Sequence, residues 1–113
     1  FFKQGSTSMA NNDIVPILKK LINLMKDNDW TLFVEGYADS GEKWTKGGDS
    51  WDLSYRRAIE VTKSLIKRGV RPGKVTTVFY GDSRAKSGDL NRKVEFILRK
   101  RDLKTEGKRV TPK

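Results

Sequence analysis

The chain has 113 residues, of which 35% are hydrophobic and 34% charged, which fits one domain with a real core under a polar shell and leaves no room for two. It contains no cysteine and no histidine, which excludes disulfides, thiol nucleophiles, Cys/His zinc sites and the commonest general base, while a carboxylate-only cation site stays open. A net charge of +10 predicts attraction to polyanions such as nucleic acid, anionic lipid or an acidic wall polymer, and no stretch approaches the roughly 18 apolar residues of a membrane helix.

The chain opens on Phe1 rather than Met and reads as a piece cut from a longer protein. "FFKQGS" predicts a short opening strand that breaks at Gly5. In "NNDIVPILKKLINLMKDN", Ile14, Ile17, Leu18, Leu21, Ile22 and Met25 recur at three and four and predict a helix, capped by Asn12 or Asp13, with Pro16 tolerable only in its first turn. "WTLFVEG" reads as a strand closed by glycine, and "YADSGEKWTKGGDS" as a polar loop. "WDLSYRRAIEVTKSLIKRG" predicts a second helix, capped by Ser50 or Asp52 and stopped at Gly69. A turn and strand follow in "VRPGKVTTVFYG", then the loop "DSRAKSGDL" and a last strand in "NRKVEFIL", with the final two strands expected to pair antiparallel. From Arg99 onward seven Lys or Arg against two Asp or Glu supply half the net charge; without apolar periodicity, residues 99–113 read as a basic, solvated tail and residues 1–98 as the domain.

The second helix carries the sharpest signal. Leu53, Ala58, Val61 and Leu65 form its apolar stripe, and Arg57, four residues from both Leu53 and Val61, lies on or beside it. Arg56 falls instead with Glu60, Lys63 and Lys67 on the polar face. A cation near a helix N-terminus also opposes the dipole. A residue that breaks both rules has two readings: an internal ion pair that pins helix to loop, or a functional group. Asp39, at the carboxyl end of a strand, is its natural counterpart, because clefts form beyond such ends; alone, Asp39 is equally a turn residue bonding its own backbone. Together the two suit a zwitterion, whose ammonium meets Asp39 and whose carboxylate meets the guanidinium fork.

With these residues in view, the sequence resembles the OmpA-like peptidoglycan-binding domains. That family's G-H-T-D strand end, its N-x-x-L-S-x-x-R-A helix start and its late N-R-R-V-E strand are similar to "EGYAD" (35–39), "SWDLSYRRA" (50–58) and "NRKVEF" (91–96), and "YGDSRA" (80–85) looks like its G-Y-G-E-x-x-P segment. The resemblance implies an α+β fold, a βαβαββ mixed sheet with helices packed on one face. It also implies no catalysis, no cofactor, no metal and a periplasmic location in a membrane-anchored envelope protein. The implied ligand is the diaminopimelate of the peptidoglycan stem peptide. By motif position Asp39 and Arg57, not Arg56, are the binding aspartate and arginine. Asn91 and Arg92 shape the cleft wall, Ser50 stands where the family has Asn, and Ser40 and Gly41 offer backbone N–H groups to a carboxylate. Tyr37-Ala38 replaces the family's His-Thr, and Lys93 its second Arg. The long first loop and Trp51 before "DLS" look like the flagellar-motor stator branch, and pairing into a homodimer stays open.

Two rivals come from other classes. A nucleic-acid-binding domain would need a continuous basic patch, and the tail lacks the aromatic interleaving of single-strand binders. A hydrolase using Asp39 with Glu35 or Asp82 lacks a recognisable acid/base geometry. Trp44, Trp51 and Tyr80 are candidate apolar walls of a cleft or ordinary core residues.

Overall fold

The structure, a computed structural model, describes residues 2–8, 11–26, 29–86 and 91–100. Helix α1 (Asn11–Lys26) is followed by strand β1 (Trp30–Gly36), helix α2 (Ser50–Lys67), a 3-10 turn (Pro72–Lys74), strand β2 (Val75–Phe79) and strand β3 (Val94–Lys100). Among the described residues the sheet has three strands in the order β2-β1-β3. β2 runs parallel to β1, from Leu32 opposite Val75 to Gly36 opposite Phe79. β3 runs antiparallel to β1, from Trp30 opposite Lys100 to Gly36 opposite Val94. The sheet is therefore mixed, as expected.

Side-chain alternation on β1 explains where the core sits. Leu32 and Val34 are fully buried on one face and pack against Leu18 and Leu21 of α1 and Ala58, Val61 and Leu65 of α2. Val94, Phe96 and Leu98 join them from β3. Both helices thus cover the same face. On the other face Glu35 accepts from the Tyr37 and Tyr80 hydroxyls (3.1 and 2.9 Å), and Lys93 pairs with Glu95 at 2.7 Å. Both phenols are held above their ordinary pKa, Tyr37 by burial first and then by Glu35, and Tyr80 first by its Glu35 hydrogen bond.

Several expectations change. Residues 2–8 form no strand; they turn at Gln4–Gly5, and Phe2 donates one sheet-like bond to the Arg92 carbonyl at 2.7 Å. Gly5 takes a positive φ of 70°, which breaks an extended run. The last two strands point opposite ways but are not neighbours, because β3 adds to the far side of β1. Helix α1 starts at Asn11, so Asn12 and Asp13 fall inside its first turn and Pro16 in its second, and Ile17 is 45% exposed rather than in the stripe. The cap of α2 is Asp49: its carboxylate accepts from the Asp52 N–H while the Asp52 side chain accepts from the Asp49 N–H. That reciprocal box engages two of the helix's orphan donors. Gly69 does end α2, with φ 107° and the paired Gly69-to-Ile66 and Val70-to-Leu65 bonds of a Schellman stop. Arg99 and Lys100, read as tail, complete β3; the tail beyond them lies outside the described residues.

Candidate functional site

Where β1 ends, three elements meet: the strand tip, the head of α2 and the segment 2–8. Gly36 lets them approach. A Cβ there would lie 2.1 Å from the Ser54 carbonyl oxygen, so the first turns of α2 rest directly on the strand. The Ser54 hydroxyl accepts from the Gly81 N–H at 2.8 Å, and the Gly81 carbonyl accepts from the Ala38 N–H at 2.9 Å. Trp51, 47% exposed, lies over Gly81, where a Cβ would meet its ring at 2.6 Å. Trp51 thus caps the strand tip from outside.

Arg57 is fully buried, while Arg56 is exposed beside the Trp44 and Tyr55 rings. The helical spacing separates the two as expected. The ion partner of Arg57, however, is Glu42 and not Asp39: Nη2 meets Oε2 at 2.5 Å and Nη1 meets Oε1 at 3.0 Å, a two-pronged contact. The remaining donors reach backbone carbonyls, Nε to Ser6 and Nη1 to Tyr37 at 3.0 Å each and Nη2 to Lys3 at 3.3 Å. Five hydrogen bonds engage all five guanidinium donors. The guanidinium carbon lies over the Phe2 ring, 5.0 Å from its centroid.

Glu42 is as well held. Its Oε1 accepts from the Asp39 N–H (2.8 Å) and its Oε2 from the Gly5 N–H (2.7 Å), besides the arginine. Burial pushes its carboxyl up, but the Arg57 hydrogen bonds and the two backbone N–H groups together outweigh burial and hold it below the ordinary carboxylate value. The turn that delivers it is closed by the Glu42 N–H on the Asp39 carbonyl at 3.0 Å, with Gly41 at φ 68°. "DSGE" therefore folds its fourth residue back over the strand end.

Asp39 faces the other way. Its Oδ1 accepts from the Ser40 N–H at 2.9 Å and from Asn91 Nδ2 at 3.0 Å. Asn91, 7% exposed, also exchanges two bonds with the Lys86 backbone, which ties the last loop to the strand tip. The Gly41 N–H donates to Asp82 Oδ2 at 3.0 Å. Ser50 is buried as the first residue of α2, and Arg92 has a buried Nε with no hydrogen-bond partner among the described residues. Asp39 and Asn91 are thus in contact, Ser40 and Gly41 border them, and Arg57 joins the group only through Glu42. Two hollows of about 550 and 420 Å³ lie away from all of these residues. Among the described residues no His/Cys/Asp/Glu cluster is placed to hold a metal.

Sequence reasoning missed Glu42 and the segment around Gly5. The signal for Glu42 was present: an acid three residues after Asp39, behind a Ser-Gly turn, in a basic chain. For Lys3 and Ser6 there was none, because they act through carbonyls that every residue has.

A small α+β domain with a saturated arginine at a helix head and an acidic turn at a strand tip is the class that fold and site define. The chain belongs to the OmpA family, whose model matches residues 1–95, a family of non-catalytic domains. Among solved structures it is similar to the C-terminal domain of Helicobacter pylori MotB, with TM-score 0.76 and 21% identity over 90% of this chain and 84% of that one. It is also similar to a putative MotB-like protein from Desulfovibrio vulgaris (TM-score 0.72, 21% identity, 93% and 70% covered). The peptidoglycan-associated lipoprotein from Burkholderia pseudomallei matches with TM-score 0.69 and 18% identity over 88% and 87%. No curated protein matches the chain significantly.

Proposed function

We propose that this domain binds peptidoglycan without catalysis, through the diaminopimelate of the stem peptide, and anchors a membrane or flagellar-motor protein to the cell wall from the periplasm. Membership of the OmpA family supports the class of function, and two structural neighbours, a peptidoglycan-associated lipoprotein and MotB, point the same way. The observation that carries the reading is the buried Arg57 fork, already holding a carboxylate with two backbone N–H groups converging on it. That is a receptor for a carboxylate, and Asp39, linked to it through Glu42, is an acceptor for an ammonium. Asn91 orients Asp39.

Because a ligand carboxylate replaces Glu42 on Arg57, the net gain is close to one charge-assisted contact, roughly 1.5–3 kcal/mol, against an association cost of at least about 4 kcal/mol. Single stem peptides therefore bind weakly, at about millimolar affinity or weaker. Several tethered domains on one polymer gain the rest by avidity.

Co-sedimentation with purified sacculi tests the reading. Asp39→Ala loses most binding and stays folded, Arg57→Ala loses most binding, and Arg56→Ala loses little. Equal losses for the two arginine variants would mean bulk charge attraction and reject the site.

A further inference from the structure

We propose that Glu42 is the specificity-determining residue of this site: its carboxylate fills the ligand-carboxylate position of the free domain and yields it only to a group that brings an ammonium with its carboxylate. This rests on the peptidoglycan reading above and goes past it to what the site refuses.

The charges on the turn carry the argument. Arg57 and Glu42 are neutral as a pair, with side chains 0% and 1% exposed. A second carboxylate cannot share the fork, because all five guanidinium donors are engaged. An incoming carboxylate must take Glu42's place on Arg57 and on the Gly5 and Asp39 N–H groups. Glu42 then leaves toward the outer side of its own turn, where Ser40 and Gly41 are exposed and no atom lies within 4 Å of where a Gly41 Cβ would be. That side is acidic already: the Asp39 and Asp82 carboxylates each hold an N–H of the same turn. A simple carboxylate thus trades a good ion pair for an equal one and leaves three anions crowded together. A zwitterionic end supplies the missing cation, which the displaced Glu42 and Asp39 receive. Glu42 therefore turns a site that any carboxylate would suit into one that selects an amino acid.

The test compares meso-diaminopimelate with pimelate, the same dicarboxylate without amino groups, by calorimetry or NMR titration on the whole chain. The wild type binds diaminopimelate about tenfold or more tighter than pimelate, the size of one charge-assisted contact. Glu42→Ala empties the fork and leaves Arg57 buried and unpaired, so both ligands bind tighter, pimelate most; Asp39 still receives the ammonium, so the gap between the two narrows by about threefold without closing. Pimelate then raises the Tm of Glu42→Ala and not that of the wild type. Glu42→Gln, which keeps the shape but sets an amide N–H against those donors, moves the same way by less and covers the case in which the alanine variant fails to fold. Unchanged discrimination in the folded Glu42 variants overturns the proposal, even where sacculus binding still depends on Asp39. Variants that take both dicarboxylates while no form of the domain holds sacculi support the role of Glu42 and overturn the wall reading. Failure of every form to bind either dicarboxylate overturns both.

Discussion

The two ends of β1 each carry an ion pair, and the pairs differ in what surrounds them. Lys74 and Asp29, at the start of the strand, are 31% and 62% exposed. Arg57 and Glu42, at its finish, are 0% and 1% exposed, and their side chains make six further hydrogen bonds, five with backbone groups and one as a second prong. The first pair is a contact between solvated charges, screened and entropically costly to hold. The second is desolvated, so each partner depends on the other. Only the second can build a site, because only there does removing one charge leave the other in need of a replacement.

The contrast is broken most severely by Arg57→Ala. It strands a buried Glu42 and releases the Lys3 and Ser6 carbonyls, and the expected loss is about 3–5 kcal/mol in urea melts. Acid makes the reversible version of the same break. The Glu42 carboxyl lies below its ordinary value of 4.5 in the folded state. Its contribution is therefore fully present above that value and is lost as pH falls through the lowered one. Glu42→Gln should lack that segment of the stability–pH curve, whereas changes at Asp29 should leave it in place. Next in size is Gly36→Ala, whose methyl meets the Ser54 carbonyl and the Ala58 side chain; about 1–3 kcal/mol of overpacking is expected, read from the shift in Tm. Smallest is Lys74→Ala, at about 0–1 kcal/mol, shrinking further in 1 M salt. A large, salt-resistant loss at Lys74 would erase the distinction between the two ends.

Much of this was legible where a period exists. Arg57 could be told from its neighbour Arg56 because a helix repeats every 3.6 residues and burial follows the repeat. The same logic found the stripe of α2 and the alternation of β3. Loops have no period, and there the reading ran short. Asp39 was paired with Arg57 on position alone, while the turn geometry of Gly41 delivers Glu42 instead. "DSWD" offers three capping residues in four, so Asp49 was not separable from Ser50 and Asp52 by composition. "FFKQGS" has strand-like residues, yet its carbonyls are held by Arg57 rather than by a ladder. The position of β3 beside β1 depends on which edge was vacant, a property of the assembled sheet that no local segment carries.

The bare Cα at position 36 has one more consequence. With Ser54 seated on it, helix and strand form a single block, and the distance between the anion receptor and the strand-tip acid belongs to the backbone rather than to side-chain reach. Residues 40–48 join that block to segment 2–8, with the Thr45 N–H on the Gly5 carbonyl at 3.1 Å. Transplanting a different loop there would change both the carboxylate that meets Arg57 and the contact that holds Gly5, while Gly36 and Ser54 stayed seated.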